Sequence, residues 1–166
     1  MLLVTLEEAF PRIVGRAYKK TSPITADYNC VAWVNRDTKQ WWEPGVDGAY
    51  WPRPVDPDDL PIDADLPEYL YVFGSLGFVE CTDATLEPSV EKIAVYAQGQ
   101  RFDHVAYQRP DGEWSSKMGP YNDIRHESTE ILIGARPGGY PAVAMYMARD
   151  RQPHAVADSE LGLLFP

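Results

Sequence analysis

Basic residues are scarce in this sequence. Fifteen Lys and Arg stand against 25 Asp and Glu, for a formal net charge of −10. A surface of that sign repels a nucleic-acid backbone and an anionic bilayer, so neither is an expected partner, whereas a basic protein or peptide is permitted. Cysteine is scarcer still, with Cys30 and Cys81 alone. Two thiols cannot staple a small fold. The opening MLLVTLEEAFPR has no basic stretch of the kind that begins a secretory signal, so a reducing, cytoplasmic setting is expected. No apolar run comes near the roughly 20 residues of a membrane span. Paired spacings such as C-x2-C or H-x3-H are missing, so nothing supports a zinc site built from Cys30, Cys81, His104 and His126. No metal and no cofactor is expected. Arg136-Pro137-Gly138-Gly139-Tyr140 lacks the Lys-Ser/Thr that follows the glycines of a phosphate loop, and it reads as a turn.

What is present is the balance of an ordinary globular chain: 166 residues, 45% hydrophobic and 24% charged. That suits one domain over residues 1–166. The chain also carries 15 Pro, 10 Tyr and 5 Trp. Thr5-Leu6-Glu7-Glu8 has the form of a capping box, and Pro11 keeps the helix it opens short or kinked. Asp27–Val34 reads as a buried helix capped near Thr25 or Asp27, which puts Cys30 in its first turns. Trp41, Trp42 and Trp51 lie in a Pro-, Asp- and Gly-rich stretch with no regular period. Packing those rings on the core is worth on the order of 2 kcal/mol apiece, so an ordered loop is expected there. Leu66, Tyr69, Leu70, Phe73 and Leu76 follow helical spacing, closed by Gly77.

Beyond that point the pattern turns to strands. Phe78–Cys81 is short, and Ile93–Ala97, Asp103–Gln108 and Glu113–Met118 follow. Pro110, Asp111 and Gly112 predict a hairpin turn between the last two. Ser128–Gly134 reads as a short helix and Ala142–Met147 as a last strand. Helices followed by an antiparallel meander make the expected class α+β.

The chemistry this order suggests is that of a thiol. A thiol nucleophile needs a stabilised thiolate, a histidine to exchange protons and a polar group to orient that histidine. A helix start favours the thiolate through its unpaired amides and its dipole. Cys30 is placed there. Of the three histidines, His104 opens a strand and can aim an imidazole across a sheet edge. Ser115 and Ser116 on the next strand, or Asp123, could orient its second nitrogen. His126 lies among charges and reads as a cap or ion-pair residue. Cys81 has no histidine in reach and reads as structural.

Four short motifs carry a resemblance: Tyr-Asn-Cys-Val-Ala-Trp (28–33), Trp-Trp-Glu-Pro (41–44), Asp-His-Val-Ala (103–106) and Trp-Ser-Ser-Lys-Met-Gly (114–119). Over roughly residues 25–150 the sequence resembles a bacterial family of unknown function. That family's layout is similar to the papain-like superfamily, which includes NlpC-type amidases and papain-fold toxin domains. The resemblance implies N-terminal helices, with a Cys-bearing helix packed on an antiparallel β-sheet. It implies Cys30 as nucleophile, His104 as base and Ser116 where the third residue stands. Two features depart from papain-like proteases. No Gln precedes Cys30 to supply an oxyanion donor, which leaves Asn29 and backbone amides. A hydroxyl, Ser116, replaces the Asn expected after His104.

Two functions of different classes follow. One is a cysteine hydrolase or acyltransferase acting on an amide, ester or isopeptide bond. The other is a non-enzymatic, acidic interaction module of immunity or inhibitory type on the same scaffold. An accessible Cys30 paired with His104 separates them.

Overall fold

The computed structural model describes residues 4–152. Three helices are present: α1 (Leu6–Ala9), α2 (Cys30–Val34) and α3 (Leu66–Ser75). Seven strands form one sheet: β1 (Tyr18–Lys20), β2 (Val79–Cys81), β3 (Val90–Gln98), β4 (Arg101–Gln108), β5 (Trp114–Lys117), β6 (Asp123–His126) and β7 (Val143–Asp150). Their order is β1-β6-β5-β4-β3-β7-β2, and each neighbouring pair is antiparallel.

This corrects the expected α+β, papain-like class. The described residues are mostly an antiparallel sheet with three short helices, the longest of ten residues. The helices are short for local reasons. The Thr5–Glu8 capping box forms, with the Thr5 amide donating to Glu8 Oε2 at 2.7 Å, but Pro11 follows at once and α1 has four residues. The expected helix from Asp27 starts three residues later. Thr25 Oγ1 accepts the Asp27 amide in a local turn, and the Asn29 side chain accepts the Ala32 amide and caps α2 instead. Thr129–Leu132 is a 3-10 turn where a short helix was expected. The sheet is larger than expected because β1 and β6 join it. Tyr-Lys-Lys and Asp-Ile-Arg-His are too polar and too short to read as strands. The backbone ladder between them forms regardless of side chain, from Tyr18↔His126 to Lys20↔Ile124.

Both sheet faces are buried at the centre. One face packs Ile93, Val95, Val105 and Tyr107 against Val31 and Val34 of α2 and Tyr69 and Phe73 of α3. The other packs Ala94, Tyr96, Ala106 and Trp114 against Leu6, Ile13, Ile131 and Leu132. Alternation along each strand divides the two sets. The hairpin expected at Pro110-Asp111-Gly112 forms between β4 and β5. Arg109 N donates to Glu113 O at 2.7 Å, Gly112 N donates to Arg109 O at 3.0 Å, and Gly112 takes the left-handed φ of 89° that the turn needs. The Trp-rich loop is pinned. Trp42 is buried and its ring packs on Tyr50, its indole N–H meets Asp37, and the Trp51 indole donates to Glu68 of α3 at 2.8 Å. Among the described residues, no helix is long and apolar enough to cross a membrane.

Candidate active site

The segment entering α2 is fastened at two points. Asn29 Oδ1 accepts from the Ala32 and Trp42 amides, both at 3.2 Å, and Asn29 Nδ2 donates to the Trp42 carbonyl at 2.7 Å. Its amide is thereby spent on capping the helix and clamping the Trp loop, so it is not a free oxyanion donor. Upstream, the fully buried Lys117 amine donates to the Thr25, Gly119 and Tyr121 carbonyls, each at 2.6 Å, below the Tyr28 ring. Tyr28 in turn donates its hydroxyl to Asp123 at 2.6 Å.

Cys30 follows Asn29 as the first residue of α2, reduced and 8% exposed. The dipoles of the Val105, Val31 and Cys30 amides point their positive ends toward the sulfur, and Lys117 adds a positive charge nearby. All of these favour a thiolate. Burial outweighs them and pushes the thiol up to about 11. The helix start was expected to leave a low-pKa thiol. Desolvation of a sulfur packed inside an apolar cluster reverses that sign.

β4 and β5 part beside Val105, the strand residue whose amide favours the thiolate. Their ladder holds two pairs, Tyr107↔Ser115 and Gln108↔Trp114, and then opens. On one side of this fork lies the thiol. On the other, side chains bridge the gap where the backbone does not: His104 Nε2 lies 3.0 Å from Ser116 Oγ. Ser116 Oγ lies 2.8 Å from His126 Nε2, and His126 Nδ1 lies 2.8 Å from the Ser128 carbonyl. All three side chains are buried, at 1%, 0% and 1% exposed. Burial, with His126 beside it, pushes His104 down to about 3, and burial pushes His126 down to about 4. The Tyr140 ring stacks on His104 at 4.2 Å and closes this side.

Of the three candidate orienting groups, Ser116 is the one at His104. Ser115 points to the other face, where it accepts the Trp33 indole N–H at 2.9 Å, and Asp123 takes the Tyr28 hydroxyl. Cys30 and His104 are brought to the same point of β4 but from different sides. The thiol belongs to the α2 face, at the amide next after His104, while the imidazole leans to the opposite face with Tyr96 and Tyr140. Among the described residues no hydrogen bond joins them. Cys81 sits far along the sheet order on β2, with its thiol toward the Asp83 carbonyl. His154 lies outside the described residues. No group of three or more His, Cys, Asp or Glu that could hold a metal occurs among those described.

Sequence reading did not single out Tyr140, and it took His126 for a cap or ion-pair residue, which the structure corrects: the ring is buried between Ser116 and the Ser128 carbonyl. Tyr140 sat in what read as a plain turn. His126 is two residues after the apolar Ile124, and that alternation was the available signal that its ring shares the buried face.

One family model matches residues 19–148, that of the Domain of unknown function (DUF7689), and the chain belongs to that family. No curated protein and no solved structure matches it. The family supplies no activity, and neither a bacterial origin nor a papain-like layout is supported by it.

Proposed function

We propose that this member of the DUF7689 family is a cysteine hydrolase or acyltransferase that opens an amide, ester or isopeptide bond, with Cys30 as nucleophile and His104 as base. The observation that supports this most is the setting of the sulfur. It lies at a capped helix start, against the strand residue that follows His104; the pair is buried and not hydrogen-bonded at rest, so this mechanism requires thiol and imidazole to meet as substrate binds.

In this mechanism the resting pair is uncharged. The Cys30 S–H proton passes to His104 as the sulfur bonds to the substrate carbonyl carbon, and the carbonyl π electrons move to its oxygen. The backbone amides at the start of α2 hold that oxyanion, since the Asn29 side chain is engaged. The imidazolium returns the proton to the leaving amine or alcohol. Water, or another nucleophile, then releases the acyl group from Cys30. Substrate that covers the fork displaces no charge from water in the resting state, which suits a neutral starting pair.

A second reading has its own support. The buried, protonated thiol and the missing bond to His104 also fit a scaffold that only binds, and the charge of −10 suits a basic partner. Acylation separates the two. Native protein is incubated with p-nitrophenyl acetate, and acetyl groups are mapped by mass spectrometry, with Cys81 as internal control. Acetylation at Cys30 that is lost in His104→Ala is the expected result. A Cys30 that acetylates only in denaturant, at the rate of a free cysteine, sinks the hydrolase reading and leaves the interaction module.

A further inference from the structure

The Ser116–His126 pair carries an inference that rests on the proposed Cys30–His104 chemistry and extends it to a residue outside the catalytic pair. The Ser128 carbonyl can only accept, so His126 Nδ1 at 2.8 Å carries a hydrogen. The His126 ring is 1% exposed, with burial holding it neutral, so its Nε2 carries none and must accept. Ser116 Oγ at 2.8 Å therefore donates its one hydrogen to His126. Having given it, Ser116 can only accept at its other contact, 3.0 Å from His104 Nε2. His104 Nε2 then carries the hydrogen, and in a neutral ring Nδ1 is bare.

We infer that His126 is a positioning residue: through Ser116 it holds His104 in the Nε2–H form and leaves Nδ1 bare, the one nitrogen that the proposed Cys30–His104 chemistry can use as its base. Without an acceptor at His126, the Ser116 hydroxyl is free to turn and donate to His104 Nε2. That would place the hydrogen on Nδ1 and remove the base. The carbonyl of Ser128, a backbone group whose polarity cannot change, sets the direction of the whole chain. A histidine pair is thus not redundant: one ring is read as the base, and the other fixes which of its nitrogens is available.

The test is long-range 1H–15N correlation on histidine-labelled full-length protein near pH 7, with His104→Ala used for assignment. The wild type should show His104 protonated at Nε2 and His126 at Nδ1. His126→Gln should keep the His104 form, since its amide oxygen accepts from Ser116 and its amide nitrogen donates to the Ser128 carbonyl. His126→Ala should lose it, and Ser116→Ala gives the same reading if His126→Ala does not fold. The rate of Cys30 acetylation should fall on the order of tenfold or more in His126→Ala and recover in His126→Gln. His104 protonated at Nδ1 in the wild type overturns the inference, as does an unchanged His104 form in both His126→Ala and Ser116→Ala. The spectra need no turnover, so this result is independent of whether Cys30 acylates.

Discussion

Two of the buried polar networks among the described residues are built on opposite plans. At the β3–β7 ladder, the fully buried Glu91 meets the guanidinium groups of Arg36 and Arg149 and the Gln152 amide. Those partners are held in turn: Arg36 donates to the Val34 carbonyl and lies over the Tyr107 ring, and Arg149 donates to the Leu76 carbonyl and lies over Phe78. This network is charged, and it ties the end of α2, the end of α3 and the last strand to β3. At the β4–β5 fork, the His104–Ser116–His126 network is neutral, runs in one direction and ends on a bare nitrogen. A charged cluster closed on itself holds a fold together. A neutral chain with an open end has a proton position to offer.

The largest effect should come from breaking the closed network. Glu91→Ala strands two inward guanidinium groups, and removing one partner of a buried pair costs about 3–5 kcal/mol. Arg36 adds to this, because it is the one described non-glycine residue with positive φ, at 62°, and Glu91 is among the contacts that hold it there. Urea denaturation of wild type and variant reads the loss directly. A change below about 1 kcal/mol would mean that Glu91 is not a structural clamp, and the contrast between the networks would fail at its first term.

How much of this contrast could be read from sequence depends on how local its cause is. The β4–β5 turn is local: Pro110, Asp111 and Gly112 each have a turn role wherever the chain goes. Cys30 at a helix start was also readable, though the cap is Asn29 and not Thr25 or Asp27, since which polar side chain caps depends on what else holds it. Asn29 is held by Trp42, thirteen residues away. The raised Cys30 thiol was not readable. Helix dipole and amides are local and favour thiolate, whereas burial under α2 is a property of the assembled core. His126 was missed for a similar reason. Asp-Ile-Arg-His becomes a strand by pairing with β1 and β5, and only then does its histidine face inward. The expected helix-rich layout failed because strand content in β1 and β6 comes from backbone pairing that leaves little trace in side-chain pattern.

The second test sharpens the difference by pH. His104 and His126 are held near 3 and 4 in the folded protein, below the ordinary 6.5 they regain on unfolding. Below pH 6.5 the unfolded chain therefore binds protons that the folded one refuses. Stability from these groups is complete above about 6.5 and is lost as pH falls toward 3–4, by about 1 kcal/mol for each histidine between pH 7 and 5.5. Glu7, Asp37, Glu68, Asp83 and Asp111 also have lowered values, but their unfolded references are 4.5 or 3.8, so their losses come at lower pH. The guanidinium groups of the Glu91 network do not titrate in this range. Denaturation midpoints measured from pH 7.5 to 5.5 should fall, and His126→Gln should remove about half of the slope. A flat profile in the wild type would mean that the two rings are not buried as neutral groups.

The smallest effect concerns the clamp that presents Cys30. Asn29→Asp keeps an oxygen at the helix cap, and a carboxylate caps as well as an amide does. It replaces the Nδ2 donor by an oxygen that faces the Trp42 carbonyl in a buried site, and the lost bond, the repulsion and the desolvation should cost about 1–2 kcal/mol after the favourable charge at the helix start is set against them. The thiol responds differently from the fold. A negative charge placed one residue before Cys30 opposes the thiolate that the three amides favour, adding to the burial that already holds the thiol near 11. Iodoacetamide labelling of Cys30 in the native state should therefore slow. Asn29→Ala is the uncharged control: it removes the cap and both bonds to Trp42 and should lower stability by about 2 kcal/mol, but it adds no charge, so labelling keeps or exceeds its wild-type rate. If both variants slowed labelling equally, Asn29 would act on Cys30 through the structure of the helix start alone. The electrostatic share assigned to the α2 cradle would then be removed.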